Sequence, residues 1–91
     1  MAAKKTAGWR IGTNYLVRTV THYYSGKLLA LTPGELVLGE AAWIPDTGRF
    51  SVAVADGVLS EVEPYPGEVL VMRGAVVDAC KWKHALPRER K

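Results

Sequence analysis

The chain has 91 residues, of which 48% are hydrophobic and 23% charged, which predicts one small folded domain and argues against disorder. The net charge is +3, and no apolar run approaches the ~20 residues of a membrane span. The single cysteine, Cys80, excludes an intrachain disulfide and favours a cytoplasmic location or an intracellularly assembled particle.

The positive charge is concentrated at the two ends of the chain. Residues 1–10 and 81–91 together carry eight basic residues and one acid, whereas residues 11–80 carry four basic residues and eight acids. No apolar stretch follows the first two lysines, so we expect no secretory signal. We predict a basic N-terminal tail (1–10), a β-domain (11–84) and a basic C-terminal tail (85–91). Such tails either attract nucleic acid or remain solvated ends.

The first half of the chain has strand character. Alternating, β-branched and aromatic residues predict three strand segments, which are NYLVRTVTHYY (14–24), KLLALT (27–32) and ELVLGEAAWI (35–44). Gly26 marks a sharp bend between the first two segments. TPGE (32–35) predicts a turn with Gly34 at positive φ. Together these segments predict an antiparallel hairpin.

The second half begins with a break in the alternation at Pro45. Asp46 or Thr47 can cap a short helix near 46–56, and Gly57 suits the position after its end. Three further strands are predicted, at 58–66, 67–73 and 75–83. This order predicts an all-β fold of five or six short strands, as in small open barrels of the SH3-like or OB kind.

Two segments resemble the two signatures of the Sm-like family, in the family's order. In YSGKLLALTPGELVLGEA (24–41) a glycine, an apolar residue two places later, a polar turn and an apolar strand ending in acid and alanine match the first signature. In VMRGAVV (71–77) an apolar pair, Arg73-Gly74 and another apolar strand match the second signature. The resemblance implies a strongly bent, open barrel of the Sm-like, SH3-like type.

The resemblance also implies a role for Arg73-Gly74. In Sm-like proteins this pair lies at the connection between the last two strands, where glycine accepts a positive φ and arginine faces the pore of a ring. The ring forms because an edge strand of each subunit pairs with an edge strand of the next. We therefore expect interface residues on two strands, namely Val69, Leu70, Val71, Met72, Val76, Val77, Asp78 and Ala79.

The RNA pocket of the family is only partly matched. An aspartate and an asparagine usually flank the first-signature turn, where this chain has Thr32 and Glu35. A carboxylate repels phosphate and cannot donate a hydrogen bond to a base. Only Arg73 matches the pocket. Two roles stay open for Arg73, a charge paired with Glu35 that sets the register between subunits, or a nucleic-acid contact at the pore.

Aromatic residues are further nucleic-acid candidates. They stack bases on some open barrels, and otherwise fill a core or an interface; in this chain they include Trp9, Trp43, Trp82, Tyr15, Tyr23, Tyr24 and Tyr65. The motif KWKH (81–84) combines an indole with basic neighbours. The candidate nucleic-acid-binding residues are therefore Arg73, Gly74, Lys81, Trp82 and Lys83.

The sequence predicts no catalytic or metal site. His22, His84 and Cys80 fall short of the four usual zinc ligands unless subunits share them. Cys80 and His84 lack a third orienting group, and the acids Glu61 and Glu63 lie on one strand face as solvated acids do. We expect no enzyme activity, no cofactor, no metal, no membrane partner and no small-molecule substrate.

Two functions stay open at this point. The first is a ring-forming Sm-like protein that associates with RNA through its pore and basic tails. The second is a structural module of a larger particle, for example a phage or phage-derived one, without RNA binding. In both cases the main partner is another copy of the chain, in a homo-oligomeric ring.

Overall fold

Residues 8–91, which a computed structural model describes, form a six-stranded antiparallel sheet and one short α-helix. The strands are β1 (Asn14–Thr19), β2 (Tyr23–Leu31), β3 (Glu35–Asp46), β4 (Glu61–Pro64), β5 (Val69–Met72) and β6 (Val76–Lys81). Helix α1 (Phe50–Asp56) lies between β3 and β4. The predicted β-rich fold with a short helical insertion is thereby confirmed. Lys4 and Lys5 of the predicted N-terminal tail lie outside the described residues.

The sheet is open, and its strand order is β4, β3, β2, β1, β6. Strand β5 follows β4 along the same edge of β3: Ala42 pairs with Pro64 of β4, and Leu38 pairs with Val69 of β5. A 3-10 turn at Arg73–Ala75 then leads into β6, which pairs with β1. Strands β5 and β6 are thus consecutive along the chain but belong to opposite edges of the sheet.

The predicted strand at 14–24 is divided by a turn that sequence reasoning missed. The Thr19 N–H donates to the carbonyl of His22 at 2.8 Å, and the Thr19 hydroxyl donates to the same carbonyl at 2.8 Å. Val20, in this turn, is 76% exposed. β1 and β2 are therefore the two arms of a hairpin closed by threonine hydrogen bonds, without the glycine or proline that usually marks a turn.

A bulge in β3 changes which face of the sheet each residue occupies. Glu40 has a φ of 48°, and the register with β2 shifts there: Lys27 pairs with Gly39, whereas Ser25 pairs with Ala42. An extra residue in one strand bends that strand and reverses the alternation of its side chains. The carboxylate of Glu40 forms ion pairs with Lys27 and Arg88.

Two separate apolar cores lie on the two faces of the sheet. The strand core consists only of strand residues, which are Tyr15, Val17, Leu28, Leu36, Leu38, Ala41 and Val71. The helix-side core comprises Leu16, Ala42, Ile44, Ala53, Leu59, Val62, Trp82 and Leu86. Both faces of β1 are therefore buried, which explains why its sequence is not a clean alternation of apolar and polar residues.

The glycines behave differently from one another. A Cβ on Gly26 would lie 3.0 Å from Cβ of Leu38 and 3.2 Å from Cβ of Ala41, so Gly26 permits the close approach of β2 to β3 at the predicted irregularity. The predictions of positive φ at Gly34 and Gly74 are wrong, because neither has a φ in the left-handed region. The 3-10 turn of Arg73–Ala75 makes the corner without such a φ.

Helix α1 begins later than predicted. Neither Asp46 nor Thr47 is its N-cap; Arg49 occupies that position without a side-chain hydrogen bond, and the Asp46 carboxylate accepts a hydrogen bond from the Gly48 N–H at 2.8 Å. The prediction for Gly57 is confirmed, since it follows the helix with a φ of 75° and donates its N–H to Ala53 at 2.8 Å.

The C-terminal segment packs back onto the sheet. Leu86 is 9% exposed and belongs to the helix-side core, although 85–91 was assigned to a tail. The Lys91 N–H donates to the Val62 carbonyl and the Val62 N–H donates to the Lys91 carbonyl, both at 2.9 Å. The last residue therefore covers the outer edge of β4, but not that of β5 or β6.

Candidate functional site: the arginine corner and two free strand edges

The arginine corner, defined as Arg73–Ala75, belongs to the second segment of the family resemblance and contacts the first. The Arg73 N–H donates to the carbonyl of Gly34 at 3.0 Å, and the Arg73 guanidinium donates to the carbonyl of Thr32 at 2.8 Å. The turn of the first segment and the corner of the second, 41 positions apart, are therefore in direct contact. Gly74 is exposed beside them, with open space where a side chain would extend.

The expected pairing of Arg73 with Glu35 does not occur within the protomer. Among residues 8–91 the carboxylates in ion pairs are those of Asp78, which binds Arg18, and Glu40. Glu35 still follows the Thr32 turn directly, so a carboxylate lies close along the chain to the backbone that Arg73 contacts. A carboxylate near Arg73 would oppose the attraction of the guanidinium for a phosphate.

The KWKH motif does not form a stacking surface. Trp82 is 4% exposed, and its indole N–H donates to the carbonyl of Ala85 at 3.1 Å, so the ring fills the helix-side core. Lys81 and Lys83 are exposed on either side of it. Two isolated cations are thus left at the end of β6, without an aromatic platform between them.

Strands β5 and β6 each have one edge without a partner in the described part of the chain. β5 pairs only with β3, and β6 pairs only with β1. Leu70 and Met72 of β5 are 54% and 50% exposed, and Val77 of β6 is 57% exposed. Unpaired strand edges that carry exposed apolar side chains are sites of pairing with another chain.

Shallow depressions flank both free edges. A groove of about 320 Å³ separates β5 from the β1–β2 turn, with Val20, Tyr24 and Leu70 among its lining residues. Beside β6 lie two smaller cavities. One, of about 190 Å³, is lined partly by Tyr23, Phe50 and Cys80, and the other, of about 210 Å³, is lined by Gly8, Trp9, Tyr15 and Ala79. Each free edge therefore adjoins at least one shallow depression.

An aromatic strip, defined as His22, Tyr24, Trp43 and Tyr65, crosses the sheet near the β5 groove. The ring centroids of His22 and Tyr24 are 4.8 Å apart, and those of Tyr24 and Tyr65 are 6.1 Å apart. Burial raises the pKa of the Tyr24 phenol above its usual value, and the nearby Tyr65 adds to the shift. Glu63 pairs with Trp43 across β3 and β4, so the strip has a carboxylate neighbour. Sequence reasoning named these aromatics, except His22, as stacking candidates but could not group them.

The remaining reactive groups do not form a catalytic or metal centre. In residues 8–91 there is no group of three or more His, Cys, Asp and Glu side chains that could hold a metal ion. Cys80 is a free thiol whose pKa is raised by burial and, to a lesser extent, by the charge of Asp78. Over the same residues no helix is long and apolar enough to cross a membrane.

Comparison of the chain with family models, with curated proteins and with solved structures found no match.

Proposed function

We propose that this chain is a ring-forming module with an Sm-like, SH3-like barrel, in which β5 of each copy pairs with β6 of the next. The observation that carries this proposal is the pair of edges, at opposite ends of one sheet, that have no partner within residues 8–91 and carry exposed apolar side chains. Because the two edges differ, pairing between copies is head to tail, and such pairing closes into a ring when the rotation per subunit allows it.

Three features support the barrel type. The sheet bends at the close approach of Gly26 to β3 and at the Glu40 bulge. The last two strands are joined by a three-residue turn although they belong to different edges, which requires a strongly curved sheet. The arginine corner contacts the turn after β2, which is the arrangement that the resemblance implies for its two signatures.

Assembly is favoured over RNA binding as the main role. Trp82 is buried, and Glu35 adjoins the turn that Arg73 contacts. Lys91 also lies away from the arginine corner: it pairs with Val62 beside the end of β3, whereas Arg73 contacts the turn before the start of β3. With twelve residues at about 3.3 Å each, β3 separates these two sites by tens of ångströms along its path.

The ring is tested by comparing the oligomeric state of the native chain with that of a variant that carries a charge on the free edge of β5. We expect the native chain to form a closed oligomer by sedimentation and native mass spectrometry at micromolar concentration. Leu70→Lys places a charge on the free edge of β5 and should give mainly monomer. Val58→Lys is the matched control, because Val58 is 52% exposed, close to the 54% of Leu70, but lies in neither edge strand. A native chain that stays monomeric contradicts the proposal.

RNA binding is the second candidate, and the position of Arg73 supports it. Arg73 directly follows β5 and Lys81 ends β6, so a ring would repeat these cations and Lys83 once in every copy. If the ring binds RNA, a fluorescent oligouridylate should bind in a salt-sensitive manner, and Arg73→Gln should weaken that binding. Lys27→Gln is a control for general charge. If no salt-sensitive binding is found at low ionic strength, RNA binding is rejected and assembly remains the one proposed function.

A further inference from the structure

We propose a specific register for the contact between copies: β5 and β6 pair antiparallel with Leu70 opposite Ala79 of the next copy. This register sets Glu68 opposite Lys81, Val69 opposite Cys80, and Met72 opposite Val77. It rests on the proposed function, since it supposes that these two edges meet. The backbone directions, the side-chain faces and the charges of the two strands each contribute to it.

The backbone hydrogen bonds within the protomer fix which residues can bond across the interface. The Arg73 N–H donates to the carbonyl of Gly34, so the backbone N–H and C=O groups of Val71 also point towards β3. The backbone groups of Leu70 and Met72 therefore point away from β3. After β6 the Trp82 N–H donates to the carbonyl of Asn14, so the backbone N–H and C=O groups of Cys80 also point towards β1. The backbone groups of Ala79 and Lys81 therefore point towards the free edge of β6. Antiparallel pairing therefore sets Leu70 opposite Val77, Ala79 or Lys81, and a shift by one residue is excluded.

The faces of the side chains then determine what each residue meets. Val71 belongs to the strand core, so Leu70 and Met72 extend from the other face of β5. Ala79 pairs with Val17, also of the strand core. Opposite residues of an antiparallel pair place their side chains on the same face of the joint sheet. The strand-core face of the adjoining copy is therefore continuous with the helix-side face of the first copy. Leu70 consequently lies on the side of the Trp9–Tyr15 cavity of the adjoining copy, which has a volume of about 210 Å³ and is also lined by Ala79. An exposed leucine thereby gains an aromatic cavity.

Charge favours the antiparallel direction. Antiparallel strands bring Glu68, before β5, to Lys81 and Lys83 at the end of β6, and bring Arg73 towards Asp78. Parallel strands would set Glu68 near Asp78 and Arg73 near the two lysines. Like charges directly opposite each other destabilise a strand pair, whereas opposite charges stabilise it.

Apolar burial and charge select among the antiparallel registers that the backbone allows. With Leu70 opposite Ala79, Met72 lies across from Val77, the extra residue at the register shift in β6, and the three exposed apolar residues of the two edges are covered together. With Leu70 opposite Val77, Met72 lies beyond the start of β6 and Glu68 is no longer opposite Lys81. With Leu70 opposite Lys81, the leucine faces a cation and Val77 remains uncovered. The register that buries the apolar side chains is favoured because a register is set mainly by the hydrophobic pattern.

The single native cysteine provides a ruler for this register. Val69 and Cys80 form a non-hydrogen-bonded pair, for which Cα atoms are about 4.5 Å apart, within the range of a disulfide. We expect Val69→Cys to cross-link to Cys80 of the next copy when oxidised glutathione accepts the two electrons of the paired thiols. Non-reducing electrophoresis should then show a ladder that extends beyond the dimer. Added Cys80→Ser should abolish the ladder.

Two neighbouring variants separate this register from its alternatives. Val71→Cys faces Cys80 if the register shifts by two residues one way, and Gly67→Cys faces it if the shift is the other way. Val58→Cys is an exposed control away from both edges. We expect Val69→Cys to cross-link at least about tenfold faster than the other three. Preferential linking of Val71→Cys or Gly67→Cys overturns the register.

Failure of the register and failure of the ring are distinguishable. If sedimentation shows an oligomer but none of the cysteine variants forms a ladder, the copies meet through other surfaces and the register is wrong. If the native chain is monomeric, the proposed function itself fails. A charge exchange is a second measurement: Glu68→Lys should weaken association by about fivefold per interface, and Lys81→Glu on the same chain should restore it.

Discussion

At the scale of single residues, the two glycines of the resembling segments differ in what surrounds them. A Cβ on Gly26 would lie 3.0 Å from Cβ of Leu38, whereas nothing lies within 4 Å of a Cβ on Gly74. Gly26→Ala must therefore push β2 away from β3, and we expect it to lower the free energy of unfolding by about 1–3 kcal/mol. Chemical denaturation measures this change.

Gly74→Ala is the matched substitution at the other segment. Its φ is not in the left-handed region, so alanine fits without strain and restricts the unfolded chain. We expect a neutral or slightly stabilising change of up to about 1 kcal/mol. Equal losses of stability at Gly26 and Gly74 would contradict the distinction between a packed and an open glycine.

Glu40 links the β3 bulge to the pH dependence of stability. Its hydrogen bond with Arg88, and then that with Lys27, lower the pKa of the Glu40 carboxyl below its ordinary 4.5. A lowered folded-state pKa stabilises the protein above the unfolded value, and this contribution is lost as pH falls through the folded value. The difference in unfolding free energy between the native chain and Glu40→Gln should thus be largest near neutral pH and shrink below about pH 4.5.

The pH dependence has two internal controls. High salt should reduce the difference between the native chain and Glu40→Gln, because both ion pairs of Glu40 are exposed. Glu40→Gly also removes the carboxylate but relieves the left-handed φ of 48°. Glu40→Gly should therefore be more stable than Glu40→Gln. A difference that stays constant from pH 7 to pH 3 would contradict the role of the ion pairs.

At the scale of elements, the sequence predicted strands and helix but not every boundary. The three segments before residue 45 and the helix near 46–56 follow from alternation, Pro45 and Gly57. The turn after β1 was missed because its residues, Val20 to His22, favour strands, and because backbone and hydroxyl hydrogen bonds of Thr19 close it without a glycine or proline. Glycine and proline indicate turns because their backbone conformations differ from those of other residues. Threonine does not indicate a turn in the same way, because its side chain also favours strands.

The candidate site was predictable where the resemblance to the Sm-like family supplied it. The resemblance, not the local strand pattern, led to the expectation of edge strands at Val69 to Met72 and Val76 to Ala79, and among residues 8–91 each of them has one edge without a partner. The burial of Trp82 and Leu86 was not predictable, because it depends on α1 and the C-terminal segment covering the same face. The local composition of residues 81–91 predicts a solvated basic end. It carries no signal of the contacts that this segment makes with Val62 and Glu40, which are distant along the chain.

The C-terminal segment carries a prediction at this scale. Deletion of residues 88–91 removes both hydrogen bonds between Lys91 and Val62 and the Arg88–Glu40 pair. We expect a loss of about 1–3 kcal/mol in stability from the two backbone bonds, together with faster amide hydrogen exchange at Val62. Arg88→Gln with Arg90→Gln is the control, because it keeps the backbone. Unchanged exchange at Val62 after the deletion would contradict the covering role.

At the scale of the whole molecule, the edges of the sheet are treated unequally. The outer edge of β4 is covered by Lys91, whereas β5 and β6 each keep one edge without a partner among residues 8–91. A protein that avoided association would be expected to charge or cover all of its edges. Leu70, Met72 and Val77 are exposed on β5 and β6, which supports the proposal that copies associate through these two strands.

The proposed assembly through β5 and β6 predicts that thermal stability depends on protein concentration. Only folded chains associate, so each tenfold rise in total protein stabilises a ring of several subunits by about 1.4 kcal/mol per protomer. For 91 residues this corresponds to an increase in Tm of roughly 5–10 °C, measured by calorimetry from 1 to 10 µM. Leu70→Lys should unfold at a concentration-independent Tm, and Val58→Lys should follow the native chain. A native Tm that does not change with concentration would show that the free edges stay unpaired.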